Sequence, residues 1–221
     1  MTIRHHVDDE LLVAFAAGDL PEAVALFVGS HAALCETCRS TILRWEDVGG
    51  EMFVGLEPVA LDVSALASTL DRLDEPRPRS AEGPLRSAPR PRASDLLPLP
   101  LLEYARGSID NLRWRRILPG VLQADLPVFY EGIPVRINRL SSFVRIPLHT
   151  HRAPEYTLIL AGGFQDEHGT FERGDVLVYD AQDRHSQRVL PGGPCLCLVV
   201  NSDRLVPLTW LGRLLGRITG L

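Results

Sequence analysis

The sequence predicts a multidomain chain, a small all-α helical bundle followed by an all-β antiparallel barrel, and three observations predict it. Apolar residues recur at helical spacing over the first seventy positions. The stretch PRPRSAEGPLRSAPRPRASD, from Pro76 to Asp95, has no aromatic and no β-branched residue. Beyond it, short apolar runs alternate with Gly- and Pro-containing turns, the mark of strands. These features set the boundaries at 1–75 for the helical block, 76–97 for a linker, 98–203 for the barrel and 204–221 for a terminal helix.

Length and composition fit this division. The chain has 221 residues, 45% hydrophobic and 23% charged, enough for one large or two small globular domains. There is no run of eighteen apolar residues, and MTIRHHVDDE lacks the basic-then-apolar order of a secretion signal. The sequence therefore predicts a cytoplasmic protein with no membrane partner. Charge is divided unevenly. Through Glu75 there are fourteen Asp and Glu against four Arg, about −10, so the whole-chain charge of −5 leaves the remainder at about +5. An acidic block of this kind argues against direct nucleic-acid binding and suits a basic protein partner.

The helices follow in order. Asp8 and Asp9 precede a stripe of Leu11, Leu12 and Phe15, and Gly18 is placed to end the first helix. Asp19 and Pro21 read as the start of a second, which carries Val24, Leu26, Phe27 and Val28 toward His31. A third is expected after Cys38, with Ile42, Leu43 and Trp45, and a fourth from about Asp62 to Leu73. The linker is too poor in apolar residues to fold. Strands are expected after Leu101, in WRRILPGVLQADL, IPVRINRL and FVRIPLH. Cys195 and Cys197 lie on a strand apolar enough to be buried on both faces, where they read as small packing hydrophobes, with a redox sensor as the alternative. The tail LVPLTWLGRLLGRITGL reads as a packed amphipathic helix.

Two groups of residues carry chemistry. In the helical block, His31, Cys35 and Cys38 form H-x3-C-x2-C, the spacing at which an imidazole and two thiolates grip one Zn²⁺. A tetrahedral ion needs a fourth ligand, for which His5 and His6 are the candidates. The zinc would staple a block whose core is small. In the barrel, His149 and His151 share strand parity, Glu155 follows four residues later and His185 arrives on a returning strand. Three imidazoles and a carboxylate suit Zn²⁺, Mn²⁺, Fe²⁺ or Ni²⁺.

The second group resembles the two motifs of the cupin barrel, H-x-H-x3-E-x6-G at His149, His151, Glu155 and Gly162, then Gly174 and His185. Phe143 stands where the first motif usually begins with glycine, and Asp180, Gln182 and Val189 replace Pro, Gly and Asn of the second. The first group resembles the zinc-binding anti-sigma domain. That resemblance implies His6, His31, Cys35 and Cys38 as ligands, with His5 as the fallback. A helical zinc block joined to a cupin resembles the ChrR-type anti-sigma factors. The resemblance implies a regulator, not an enzyme, that holds an extracytoplasmic-function sigma factor, with a metal-bearing cupin responsive to singlet oxygen or organic hydroperoxide. The competing reading is a cupin dioxygenase or isomerase with a zinc-stapled accessory domain.

Overall fold

The structure, a computed structural model, describes residues 2–73, 96–128 and 133–201 and the backbone of 206–207. Four helices open the chain: α1 (Asp9–Ala16), α2 (Glu22–Ala32), α3 (Glu36–Val54) and α4 (Ala65–Leu73). The Asp8 carboxylate caps α1 by accepting from the Leu11 amide, and Gly18 follows the helix at a φ of +71°. Pro21 stands at the N-cap of α2. The third helix starts earlier than expected. Cys35 is its N-cap, so Cys38 sits in its first turn and the C-x2-C pair straddles the helix start.

The linker and the expected terminal helix lie largely outside the described residues, and at their edges the structure corrects the boundaries. Leu97, assigned to the linker, is buried. Residues 99–104, assigned to the barrel, form a helix, α5 (Leu99–Tyr104), packed against α2. Pro98 and Pro100 favour that helix start, and Leu101 and Leu102 bury its apolar side. At the other end, Val206–Pro207 form a strand rather than the beginning of a helix.

The barrel consists of two antiparallel sheets. One runs in the order β1 (Arg115–Leu118), β2 (Val121–Leu126), β3 (Val135–Leu140), β10 (Cys195–Asn201), β5 (Glu155–Ala161), β8 (Val176–Tyr179). The other runs β11 (Val206–Pro207), β4 (Arg145–Thr150), β9 (His185–Val189), β6 (Gly163–Asp166), β7 (Gly169–Glu172). Strand parity divides the core in two. Ile159, Cys195, Cys197 and Val199 point into the barrel, against Phe164, Phe171 and Val189 of the second sheet. Leu158, Leu160, Leu196, Leu198 and Val200 point out of it, against Val7, Leu12, Leu26 and Phe27 of the helical block. Every residue of β10 is buried for this reason: the helices cover the face that would otherwise meet water. The helical block thus shares a core with the barrel, an arrangement that the linker between them does not foreshadow.

Two motif glycines are required by their positions. Gly162 has a φ of +65° and a Cβ there would lie 2.5 Å from the Pro194 carbonyl; Gly174 has a φ of +90° and a Cβ would lie 2.6 Å from Ile3. Phe143 also has a positive φ, 66°, at the position where cupins usually carry glycine. The backbone has kept the glycine conformation and an exposed phenylalanine adopts it.

Candidate metal centres

The first cluster joins three segments. His31 ends α2, Cys35 and Cys38 open α3, and His6 comes from the extended arm before α1. His6 Nδ1 lies 3.3 Å from Cys35 Sγ and 3.6 Å from Cys38 Sγ, and His31 Nε2 lies 3.2 Å from Cys38 Sγ. A tetrahedral Zn²⁺ with bonds of about 2.3 Å to sulfur and 2.0 Å to nitrogen has ligand–ligand edges of about 3.5 Å. The four side chains fit such an ion. His5, the alternative to His6, turns the other way, onto the Phe171 ring at 4.4 Å and to within 3.5 Å of the Asp175 carboxylate.

The surroundings favour binding by neutral imidazole. His31 Nδ1 lies 2.9 Å from the Gly174 carbonyl, which fixes its proton there and leaves Nε2 bare toward the cysteines. Burial lowers the His31 pKa to about 4, against the pull of that carbonyl. Burial, then the neighbouring Cys35, pushes the Cys38 thiol up to about 12. Without a cation this thiol stays protonated; a metal ion would displace its proton.

The second cluster lies inside the barrel. His149 and His185 face each other across the β4–β9 ladder. His151 follows the end of β4 and is turned inward as Thr150, between the two histidines, donates to the Ala181 and Asp183 carbonyls. The three Nε2 atoms converge: His185 is 2.7 Å from His149 and 3.1 Å from His151. His149 Nδ1 donates to the Pro147 carbonyl at 2.8 Å, again directing a bare Nε2 at the centre. The His185 pKa falls to about 3, through burial and then its two histidine neighbours, and burial also lowers that of His149. Three buried imidazoles aimed at one point could hold a metal ion, by the chemistry of the donors.

Glu155 stands behind this triad. It does not share a strand with the histidines, as the parity argument assumed; β4 ends at Thr150 and Glu155 opens β5 in the opposite sheet. Its Oε2 accepts from the Asn201 side chain at 3.0 Å and lies 3.6 Å from His151 Nδ1. The group gathered within 4.8 Å is His149, His151 and His185. Burial, partly offset by Asn201 and Thr157, pushes the Glu155 carboxyl up to about 7. Sequence reasoning missed Asn201, which is held in turn by Arg136 at 2.7 Å, because no spacing links residues 155 and 201. Cys195 and Cys197 are buried and free of disulfides, as expected of packing residues.

Comparison with known proteins agrees with this architecture. A family profile described as the ChrR Cupin-like domain matches residues 104–203. The anti-sigma-E factor ChrR of Cereibacter sphaeroides is 39% identical over 205 residues, 93% of this chain and 92% of the relative. The crystal structure of Rhodobacter sphaeroides SigE in complex with the anti-sigma ChrR matches at a TM-score of 0.75 and 37% identity, covering 90% of this chain and 99% of the other. An RmlC-like cupin from Ralstonia eutropha matches at a TM-score of only 0.41 and 16% identity, over 47% of this chain and 71% of the other.

Proposed function

This chain belongs to the ChrR family of anti-sigma factors, and from that premise we propose that it sequesters an extracytoplasmic-function sigma factor through its helical block and releases it on a signal received by the cupin. It is a regulator rather than an enzyme. The relative in the crystal complex holds SigE, and the same class of partner suits this chain.

One observation supports the reading most directly. Among the described residues, α3 and α4 of the helical block leave large apolar side chains exposed. Of the nineteen residues of α3, Cys38 and Ile42 are buried, whereas Met52, Phe53 and Val54 near its end are 73–78% exposed. On α4, Leu66, Leu70 and Leu73 form one exposed stripe at i, i+4 and i+7, and no α4 residue is buried. Surfaces of this extent mark protein docking. The acidic balance around them complements the basic surfaces with which a sigma factor meets promoter DNA.

His6, His31, Cys35 and Cys38 are assigned to a structural Zn²⁺ that fastens the arm to α2 and α3. His149, His151 and His185, with Glu155 as neighbour or fourth ligand, are assigned to Zn²⁺ or another divalent ion, Mn²⁺, Fe²⁺ or Ni²⁺. That metal would supply a Lewis-acidic centre inside the barrel. The signal is an oxidant, singlet oxygen or organic hydroperoxide. No helix among the described residues is long and apolar enough to cross a membrane, and the proposed setting is the cytoplasm.

The test separates the two roles. His149→Ala or Glu155→Gln should leave sigma binding intact while abolishing induction of sigma-dependent transcription by oxidant. Normal induction in both variants would refute the sensor assignment.

A further inference from the structure

The first cluster is not built by the helical block alone. Its arm and one of its histidines are held by a turn of the barrel, Glu172–Val176, between β7 and β8. The Asp175 carboxylate, 3% exposed, accepts from the Arg4 amide at 2.8 Å, the His5 amide at 3.0 Å and the Glu172 amide at 2.9 Å. Val176 N–H donates back to the His5 carbonyl at 3.3 Å. Ile3 fills the space left by the missing Cβ of Gly174. The Gly174 carbonyl takes the Nδ1 proton of His31.

We propose that this turn is a positioning element of the first metal centre: Asp175 sets the arm that presents His6, and Gly174 sets the ring of His31, so the barrel orients two of the four ligands. The inference rests on the reading of the cluster as a metal site. Burial would raise the Asp175 carboxyl, yet the amides of Glu172, Arg4 and His5 bring it below its ordinary value, so it acts as an anion at neutral pH. An arm without this anchor is a segment outside any helix or strand, free to fray. His6 would then be lost as a constrained ligand. The consequence is physical continuity between the two metal centres. Strand β8 starts at this turn and ends at Tyr179, whose ring lies edge-on to His185 at 3.7 Å.

The experiment uses the full chain loaded with Co²⁺. Only the first cluster contains cysteines among its ligands, so the thiolate-to-cobalt absorption band reports that centre alone. Its decay in excess chelator is compared in wild type, Asp175→Ala and Asp175→Asn. Removal of such an outer partner typically costs 10–100-fold in metal affinity, and we expect Asp175→Ala to lose the band about 10–100-fold faster, with a shifted ligand-field spectrum. Asp175→Asn retains an oxygen acceptor for part of the amide set and should recover part of the loss. If Asp175→Ala fails to fold, Asp175→Asn carries the test with a several-fold acceleration. Decay at the wild-type rate with an unchanged spectrum in the folded variants overturns the inference and leaves the metal site standing. Absence of the band in wild type, or its persistence in Cys35→Ser/Cys38→Ser, overturns both.

Discussion

The two clusters are built on opposite plans. The first collects two nitrogens and two sulfurs from an extended arm and the adjoining ends of two helices, segments that belong to no common ladder. The second collects three nitrogens from a paired ladder and the residue just past its end, where backbone hydrogen bonds already hold His149 opposite His185. An ion in the first would be part of the fold, and an ion in the second would be a guest in a fold that stands without it. Ligand type follows the same division. Thiolates beside imidazoles close a tetrahedron around zinc, whereas a triad of imidazoles leaves positions open and tolerates several metals.

The contrast breaks most visibly if both sites are attacked in turn. Cys35→Ser/Cys38→Ser should remove one zinc per chain and melt the helical block, since structural zinc contributes on the order of 10 kcal/mol in small domains; far-UV circular dichroism and metal analysis would record it, with sigma binding lost. His185→Ala should empty the barrel site yet keep the helical signal and sigma binding. A comparable loss of helix in both variants would erase the distinction.

Glycine replacements sharpen the comparison on a smaller scale. Gly174→Ala meets both the positive φ and the Ile3 side chain, and should destabilise the chain by about 1–3 kcal/mol while hastening metal loss from the first centre. Gly162→Ala is equally strained, but against the Pro194 carbonyl rather than an arm residue, and should lower the melting temperature with a smaller effect on that rate.

The smallest effect is on pH. In metal-stripped protein, His185 and His149 titrate below the ordinary histidine value of 6.5, His185 near 3. A depressed histidine pKa gives stability that is present above pH 6.5 and lost as pH falls, because the unfolded chain takes up the proton first. Glu155, raised to about 7 from 4.5, acts in the opposite sense between those values. Two imidazoles outweigh one carboxylate, so the melting temperature of the stripped barrel should fall from pH 6.5 to pH 5. Metal should suppress that slope, which calorimetry of both forms would show.

Much of this was legible because it is local. Periodicity placed α1 and α2, and the spacing of His31, Cys35 and Cys38 placed three first-cluster residues on adjoining helical turns. Asp8 announced its cap. What was not legible is long-range. Nothing near His6 distinguishes it from His5; the arm's pairing with Asp175, about 170 positions on, decides which ring turns to the cysteines. The α5 helix was read as barrel because its six residues are too few to show a period. Glu155 was placed on the histidines' strand because the turn at Arg152–Pro154 has no strong break signal beyond one proline. The shared core between helices and sheet follows from β10, whose unbroken apolar sequence indicated two covered faces but not what covered the second.

The account turns on sigma capture by the exposed α3–α4 surface of a zinc-held block. The decisive measurement is purification of the full chain co-expressed with its genome-adjacent extracytoplasmic-function sigma factor, beside Phe53→Asp/Leu70→Asp, with chains and zinc counted and binding to core RNA polymerase assayed. The account predicts a one-to-one complex that excludes core polymerase for the wild type, and free sigma factor with zinc retained for the variant. A wild-type chain that carries its zinc but leaves the sigma factor on polymerase would contradict it.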